Sequence, residues 1–127
     1  MLWTRIDRRV IGQIVVVDLH GRVTVSEESQ AVAATVREIL AAGGRQILVN
    51  LANIQFIDSV GIGDIVRAFT AAGREGATLK LCGVGGRVRS VFDATQLSAV
   101  IDLFEAEEEA LRSFAPPSSD LRSRASD

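Results

Sequence analysis

The chain has 127 residues, 47% of them hydrophobic, which suits one domain with its own core and leaves no room for a second. Its 14 Lys plus Arg face 16 Asp plus Glu with no long block of either sign, which argues against direct nucleic acid binding or a charged membrane surface. One cysteine, Cys82, and one histidine, His20, exclude an internal disulfide and a Cys/His metal centre, and point to a reducing, cytoplasmic setting.

Met1-Leu2-Trp3-Thr4-Arg5 lacks the apolar core and cleavage site of a secretory signal. No apolar run approaches ~20 residues, so direct membrane insertion is not expected. A first strand is predicted over residues 6–10 and a second over 14–19, about a tight turn at Ile11-Gly12-Gln13. The second holds the apolar run Ile14-Val15-Val16-Val17, which predicts cover on both faces. His20-Gly21 ends it, and a loop with Arg22, Thr24 and Ser26 leads into a helix that starts at Ser26, with Glu27 and Glu28 in its first turn. That helix runs to about residue 42, with Val32, Val36, Ile39 and Leu40 facing the core and Gly43-Gly44 as its stop.

A third strand is predicted over 46–51, a connection over 52–58, and a second helix over 60–72 with Ile62, Ile65, Val66 and Phe69 as its apolar stripe. Residues 78–82 form a strand, Gly83-Val84-Gly85-Gly86 a turn and 87–94 a helix; a brief strand at 100–101 precedes a last helix over 105–114. This alternation predicts an α/β fold: a mostly parallel β-sheet with an N-terminal hairpin, right-handed crossovers and about four α-helices, within a domain of residues 1–114. Pro116-Pro117-Ser118-Ser119 and the Ser, Arg and Asp that follow carry no core material, so residues 115–127 are predicted to be a disordered tail.

The chemistry concentrates in Ile54-Gln55-Phe56-Ile57-Asp58-Ser59-Val60-Gly61-Ile62-Gly63-Asp64, where a turn opens a helix through Asp-Ser and two glycines. The Ser59 hydroxyl is placed to accept from the N–H groups of the first helical turn, and a phosphate on it would be favoured there by the helix dipole. Plain capping is the ordinary role of such a serine. Asp58 either orients this site or simply forms the turn. Gly61 and Gly63 each cost ~1 kcal/mol of helix propensity, which predicts close approach by the sheet or by a partner. A phosphate beside Asp58, with Asp64 adding to it, would make a concentrated negative patch.

No catalytic residue, cofactor or metal is expected. Gly83-Val84-Gly85-Gly86 has Val88 where a dinucleotide loop needs its third glycine, and no P-loop lysine follows. Arg87 and Arg89 read as a solvated helix face. His20 and Cys82 lack partners for catalysis, and Glu105, Glu107, Glu108 and Glu109 suit the start of a helix.

Three stretches carry a family likeness: Val49-Asn50-Leu51 through Phe56-Ile57-Asp58-Ser59-Val60-Gly61-Ile62-Gly63, Leu79-Lys80-Leu81-Cys82-Gly83, and Val88-Arg89-Ser90-Val91-Phe92-Asp93-Ala94-Thr95-Gln96-Leu97. Over roughly residues 6–113 the chain resembles the STAS domain of bacterial anti-sigma factor antagonists. That resemblance implies phosphorylation of Ser59 by a partner that is both anti-sigma factor and ATP-using serine kinase, with binding before phosphorylation and release after it. It implies a contact surface of Asp58, Ser59, Val60, Gly61, Ile62 and Gly63 with Thr24 in the neighbouring loop. This chain has Val60 where many antagonists have a second serine, leaving one acceptor, and Thr24 where many have an acid. Alternatives are a STAS subunit of a lipid-transport ATPase or other membrane complex, and a small-molecule-sensing module. Flat STAS surfaces also allow a homodimer, with Leu2 or Trp3 at the contact.

Overall fold

The computed structural model describes residues 3–23 and 31–114. Thr24, the helix start expected at Ser26 with Glu27 and Glu28, Leu2 and the tail at 115–127 lie outside the described residues. The elements are strands β1 (Trp3–Ile11), β2 (Ile14–Val23), β3 (Gln46–Ile57) and β4 (Thr78–Cys82), with helices α1 (Ala31–Ala41), α2 (Ser59–Arg74), α3 (Gly86–Ala94) and α4 (Glu107–Ser113). The sheet order is β1-β2-β3-β4, antiparallel for the first pair and parallel for the next two. Gly12, at φ +62°, supplies the left-handed turn of the hairpin.

Strand side chains alternate between two cores. Val17, Leu19, Ile47, Val49, Leu79 and Leu81 pack with residues of α1, α2 and α3, whereas Val16, Leu48 and Cys82 pack with Ala110 and Phe114 at α4. Val16, Val17, Leu48 and Val49 are all fully buried, so β2 and β3 are covered on both faces and tolerate apolar residues without alternation.

Two local readings differ from the structure. Residues 52–57 continue β3 and do not form a connection, and β2 runs on beside them to Val23. The β2–β3 register shifts between Asp18 and His20 and again between Gly21 and Arg22, and the buried residues Leu51, Ile54 and Ile57 recur every three positions. Bulges therefore hide the period of two that marks a strand. Nor do residues 100–101 form a strand. A 3-10 turn spans Leu97–Ala99, Ile101 drops into the core, and the extended contact falls later, where Leu103 bridges Leu81 in parallel.

On the α4 face, a polar network ties the layers. Arg9 donates from Nε to Asp18 at 2.6 Å and from Nη2 to Asp18 at 2.9 Å, and also reaches Glu107 at 2.7 Å. Asn50 donates to the same Asp18 carboxylate at 2.8 Å. Asp18 is buried, and the Arg9 hydrogen bond holds its carboxyl below the usual carboxylate range, outweighing the opposing cost of burial. The network joins β1, β2, β3 and α4.

A folded pKa below the unfolded one stabilises the fold above the ordinary value of 3.8 and loses that contribution as pH falls through the folded value. Asp18→Asn is thus expected to cost ~1–3 kcal/mol at pH 7, with the gap from wild type narrowing below the ordinary carboxylate value. Urea denaturation as a function of pH checks it. After α3, Gln96 sits at φ +64° and is exposed, a position that favours glycine. Gln96→Gly is expected to stabilise by ~0.5–1 kcal/mol, read as a rise in urea midpoint at unchanged m-value.

Candidate functional site

The parallel strand β3 delivers the chain to the start of α2, and the first helical turn is closed by Asp58. One Asp58 carboxylate oxygen accepts from the backbone N–H of Val60 at 3.1 Å and of Gly61 at 3.0 Å. The Asp58 carbonyl accepts from Ile62 at 2.9 Å. Asp58, with extended backbone at φ −111° and ψ −173°, is therefore the N-cap, and Ser59 is the first residue of the helix. This differs from the capping role expected of Ser59. Both residue types cap well, but the ionised oxygen gains more from the positive end of the helix. The Ser59 side chain is left exposed and makes no hydrogen bond among the described residues.

Around Ser59 the surface is small and mixed. Phe56, 41% exposed, precedes the site on β3, and Val60 is half-buried beside it. Gly61 and Ile62, placed among the contact residues on the sequence, are both buried; Ile62 belongs to the core beneath α2. Gly63 is half-buried, but a Cβ there would meet only the Arg67 guanidinium, at 3.6 Å. The sheet does not crowd Gly63, so its missing side chain leaves the helix flank open.

Asp64 is the residue that the sequence reading misplaced. It does not join Asp58 at the surface: it is fully buried and accepts from the backbone N–H groups of Val32 and Ala33, each at 2.9 Å. A side chain of α2 thus caps the first described turn of α1. Burial raises the Asp64 carboxyl above its ordinary value, against the two N–H donors and the charges of Arg67 and Arg37, which lower it. A signal did exist: Asp64 lies three residues after Gly61 and four before Ala68, on the buried stripe of α2. A carboxylate on such a stripe needs a buried partner.

The other candidate groups do not converge on this site. Cys82 lies on the α4 face, with its thiol pushed up to about 12, chiefly by burial, and its sulfur 3.6 Å from the Asn50 oxygen. His20 sits between Arg5, Asp7 and Asn53. Gly83 has φ +71°, and a Cβ there would lie 2.4 Å from the Ala52 backbone nitrogen, so the glycine-rich turn serves close packing on β3. Among the described residues, no cluster of His, Cys, Asp or Glu could hold a metal, and no helix is long and apolar enough to cross a membrane.

A four-stranded mixed sheet, a helix opened by Asp-Ser at the end of its third strand and a neighbouring helix capped in trans together define the class of domain. Residues 5–110 match the STAS domain family, and the chain belongs to it. It is 32% identical over 69 residues to the anti-sigma-B factor antagonist of Bacillus subtilis, a match covering 54% of this chain and 63% of that protein. The matched part is thus less than two thirds of that relative's length. Among solved structures it is similar to a putative anti-sigma factor antagonist of Thermotoga maritima, with TM-score 0.77, 20% identity, and coverage of 84% of this chain and 92% of that one. It also resembles the phosphorylated form of the Bacillus cell fate determinant SpoIIAA, with TM-score 0.65, 20% identity, and coverage of 85% and 97%. At these identities the structural likenesses establish the fold.

Removing the Asp64 carboxylate strands two buried N–H groups, whereas removing Asp58 uncaps a helix end that water can reach. Asp64→Ala is expected to cost ~2–4 kcal/mol and Asp58→Ala ~1 kcal/mol. Chemical denaturation of the pair measures both, and faster amide exchange at Val32 and Ala33 in the Asp64 variant would locate the loss.

Proposed function

We propose that this protein is an anti-sigma factor antagonist that works by partner switching and has no catalytic activity of its own. Unphosphorylated, it binds a cytoplasmic anti-sigma factor that is also a serine kinase; phosphorylated on Ser59, it releases that partner. The observation that carries this reading is the position of Ser59: exposed, first in α2, and relieved of capping by Asp58. The names of the curated relatives supply the partner class.

The geometry gives the switch a physical basis. A phosphate adds about −1.5 to −2 charges. The N–H groups it would seek are already taken by the Asp58 carboxylate, so the two anions stand side by side at the helix start. In water this costs little; buried against a partner without matching cations, it costs several kcal/mol. A penalty of ~3 kcal/mol weakens binding over a hundredfold. The domain itself stays folded, because the added charge lies outside the core. Asp64, being buried, does not add to the negative patch that the phosphate and Asp58 would form.

The contact surface under this reading is Ser59 with Asp58, Val60 and the open flank at Gly63, supported from below by Gly61 and Ile62; the family resemblance adds Thr24, which lies outside the described residues. Baits of wild type, Ser59→Ala and Ser59→Asp, used in a quantitative pulldown from the native cell, test the proposal. An anti-sigma kinase retained by the alanine bait, reduced at least ~100-fold with the aspartate bait, and phosphate on the wild-type Ser59 peptide are the expected results. Equal recovery of the same partner by all three baits would remove the switch.

A further inference from the structure

Between the C-terminal halves of α1 and α2, on the side away from the sheet, lies a groove of about 540 Å³. Leu40, Val66 and Ala71 give it an apolar lining, and Arg37, Arg67 and Arg74 contribute guanidinium groups. The side chains of these three arginines make no ion pair or hydrogen bond among the described residues. Arg5, Arg8, Arg9 and Arg89 are each paired with a carboxylate, and Arg87 and Arg112, like the groove arginines, are not among the described residues; what sets Arg37, Arg67 and Arg74 apart is that all three line one groove. We propose that this groove is a second binding site, for a small amphiphilic anion: an organic carboxylate or phosphate ester with a short apolar tail.

Helix electrostatics accounts for only part of the cluster. Arg74, in the last turn of α2, complements the negative end of the helix dipole, but Arg37 and Arg67 lie mid-helix, where that gain is small. The charges of Arg37 and Arg67 reach the buried Asp64, and Glu75 is the one acid among the lining residues. Three cations against these two anions leave the site net positive. A head group that accepts paired hydrogen bonds from guanidinium suits the rim, and a tail suits the apolar wall.

The volume and the surroundings favour a small ligand over a protein partner. The groove falls within the ~300–1,000 Å³ typical of small-molecule sites. A protein partner would need roughly 800 Å² on each side, with an apolar centre. Among the described residues the large exposed hydrophobics, Val10, Ile11, Phe56 and Val100, all lie off α1 and α2, so none of them extends the groove for such a partner to cover. The site is also separate from Ser59: along α2, Val66 is ~10 Å and Arg74 ~22 Å away by helical rise. The proposal therefore stands apart from the partner switch.

The test is an amide NMR titration of the full chain with octanoate, octyl phosphate and 1-octanol, each below its aggregation limit. Saturable shifts centred on residues 37–41 and 66–75 are expected for the anions, with the neutral alcohol binding about tenfold more weakly or not at all. Preference between the carboxylate and the phosphate identifies the head group. Arg37→Gln with Arg67→Gln is expected to weaken anion binding by about tenfold or more, and Arg74→Gln, which leaves the surroundings of Asp64 intact, by several-fold. Unsaturable shifts, equal binding of the alcohol, shifts centred elsewhere, or unchanged affinity in folded Arg74→Gln would overturn the proposal.

Discussion

Where the Asp64 carboxylate meets the amides of Val32 and Ala33, a side chain of α2 satisfies the backbone of α1, and the two helices become one unit on the sheet. A buried carboxylate is costly unless its oxygens are matched, and here each oxygen accepts one N–H at 2.9 Å from the positive end of a helix. The match fixes rotation as well as distance. Turning α2 about its axis would swing Asp64 away and strand the two donors together with the charge. The presentation of Ser59 at the start of α2 is thus set partly by a bond made five residues further along, inside the protein.

Two aspartates divide the capping between them. Asp58 closes its own helix and Asp64 closes the neighbouring one, so Ser59 carries no structural duty through its hydroxyl. Had Ser59 been the cap, its lone pairs would have been committed to backbone N–H groups, and modification would have disturbed the helix start. With Asp58 as cap, a group can be added to Ser59 while the helix keeps its hydrogen bonds. The consequences of such an addition then fall on whatever docks against the surface. This separation lets one small, rigid domain present two different faces at one place.

Most of the architecture was legible from apolar pattern and glycine punctuation. The unbroken Ile14-Val15-Val16-Val17 run identified a strand covered on both faces, and Gly43-Gly44 marked the end of α1 within two residues of that observed. What stayed hidden depended on tertiary contacts. The second half of β3 lost its alternation because bulges space Leu51, Ile54 and Ile57 by three, and the strand expected at 100–101 gave way to a 3-10 turn at Leu97–Ala99 because the backbone pairing with β4 falls later, at Asp102 and Phe104 on either side of Leu103. The start of α2 was visible as a site, yet Asp-Ser alone does not say which of two good caps is used. The partner of Asp64 lies over thirty residues earlier in the chain, beyond any local window.

α2 carries the exposed serine at its first residue and the arginine-lined groove along its second half, with Asp64 between them. Through solvent the two ends are nearly deaf to one another, since charges more than ~8 Å apart are largely screened at physiological ionic strength. Coupling through the protein would require a second packing of α1 against α2, and the Asp64 bonds oppose one: sliding α1 by a single turn, ~5.4 Å, breaks both at once. A helix pair locked in this way transmits force poorly but holds position well. Charge added at Ser59 would therefore be felt by a partner docked at that end, while an anion in the groove would act on the surface that surrounds the groove.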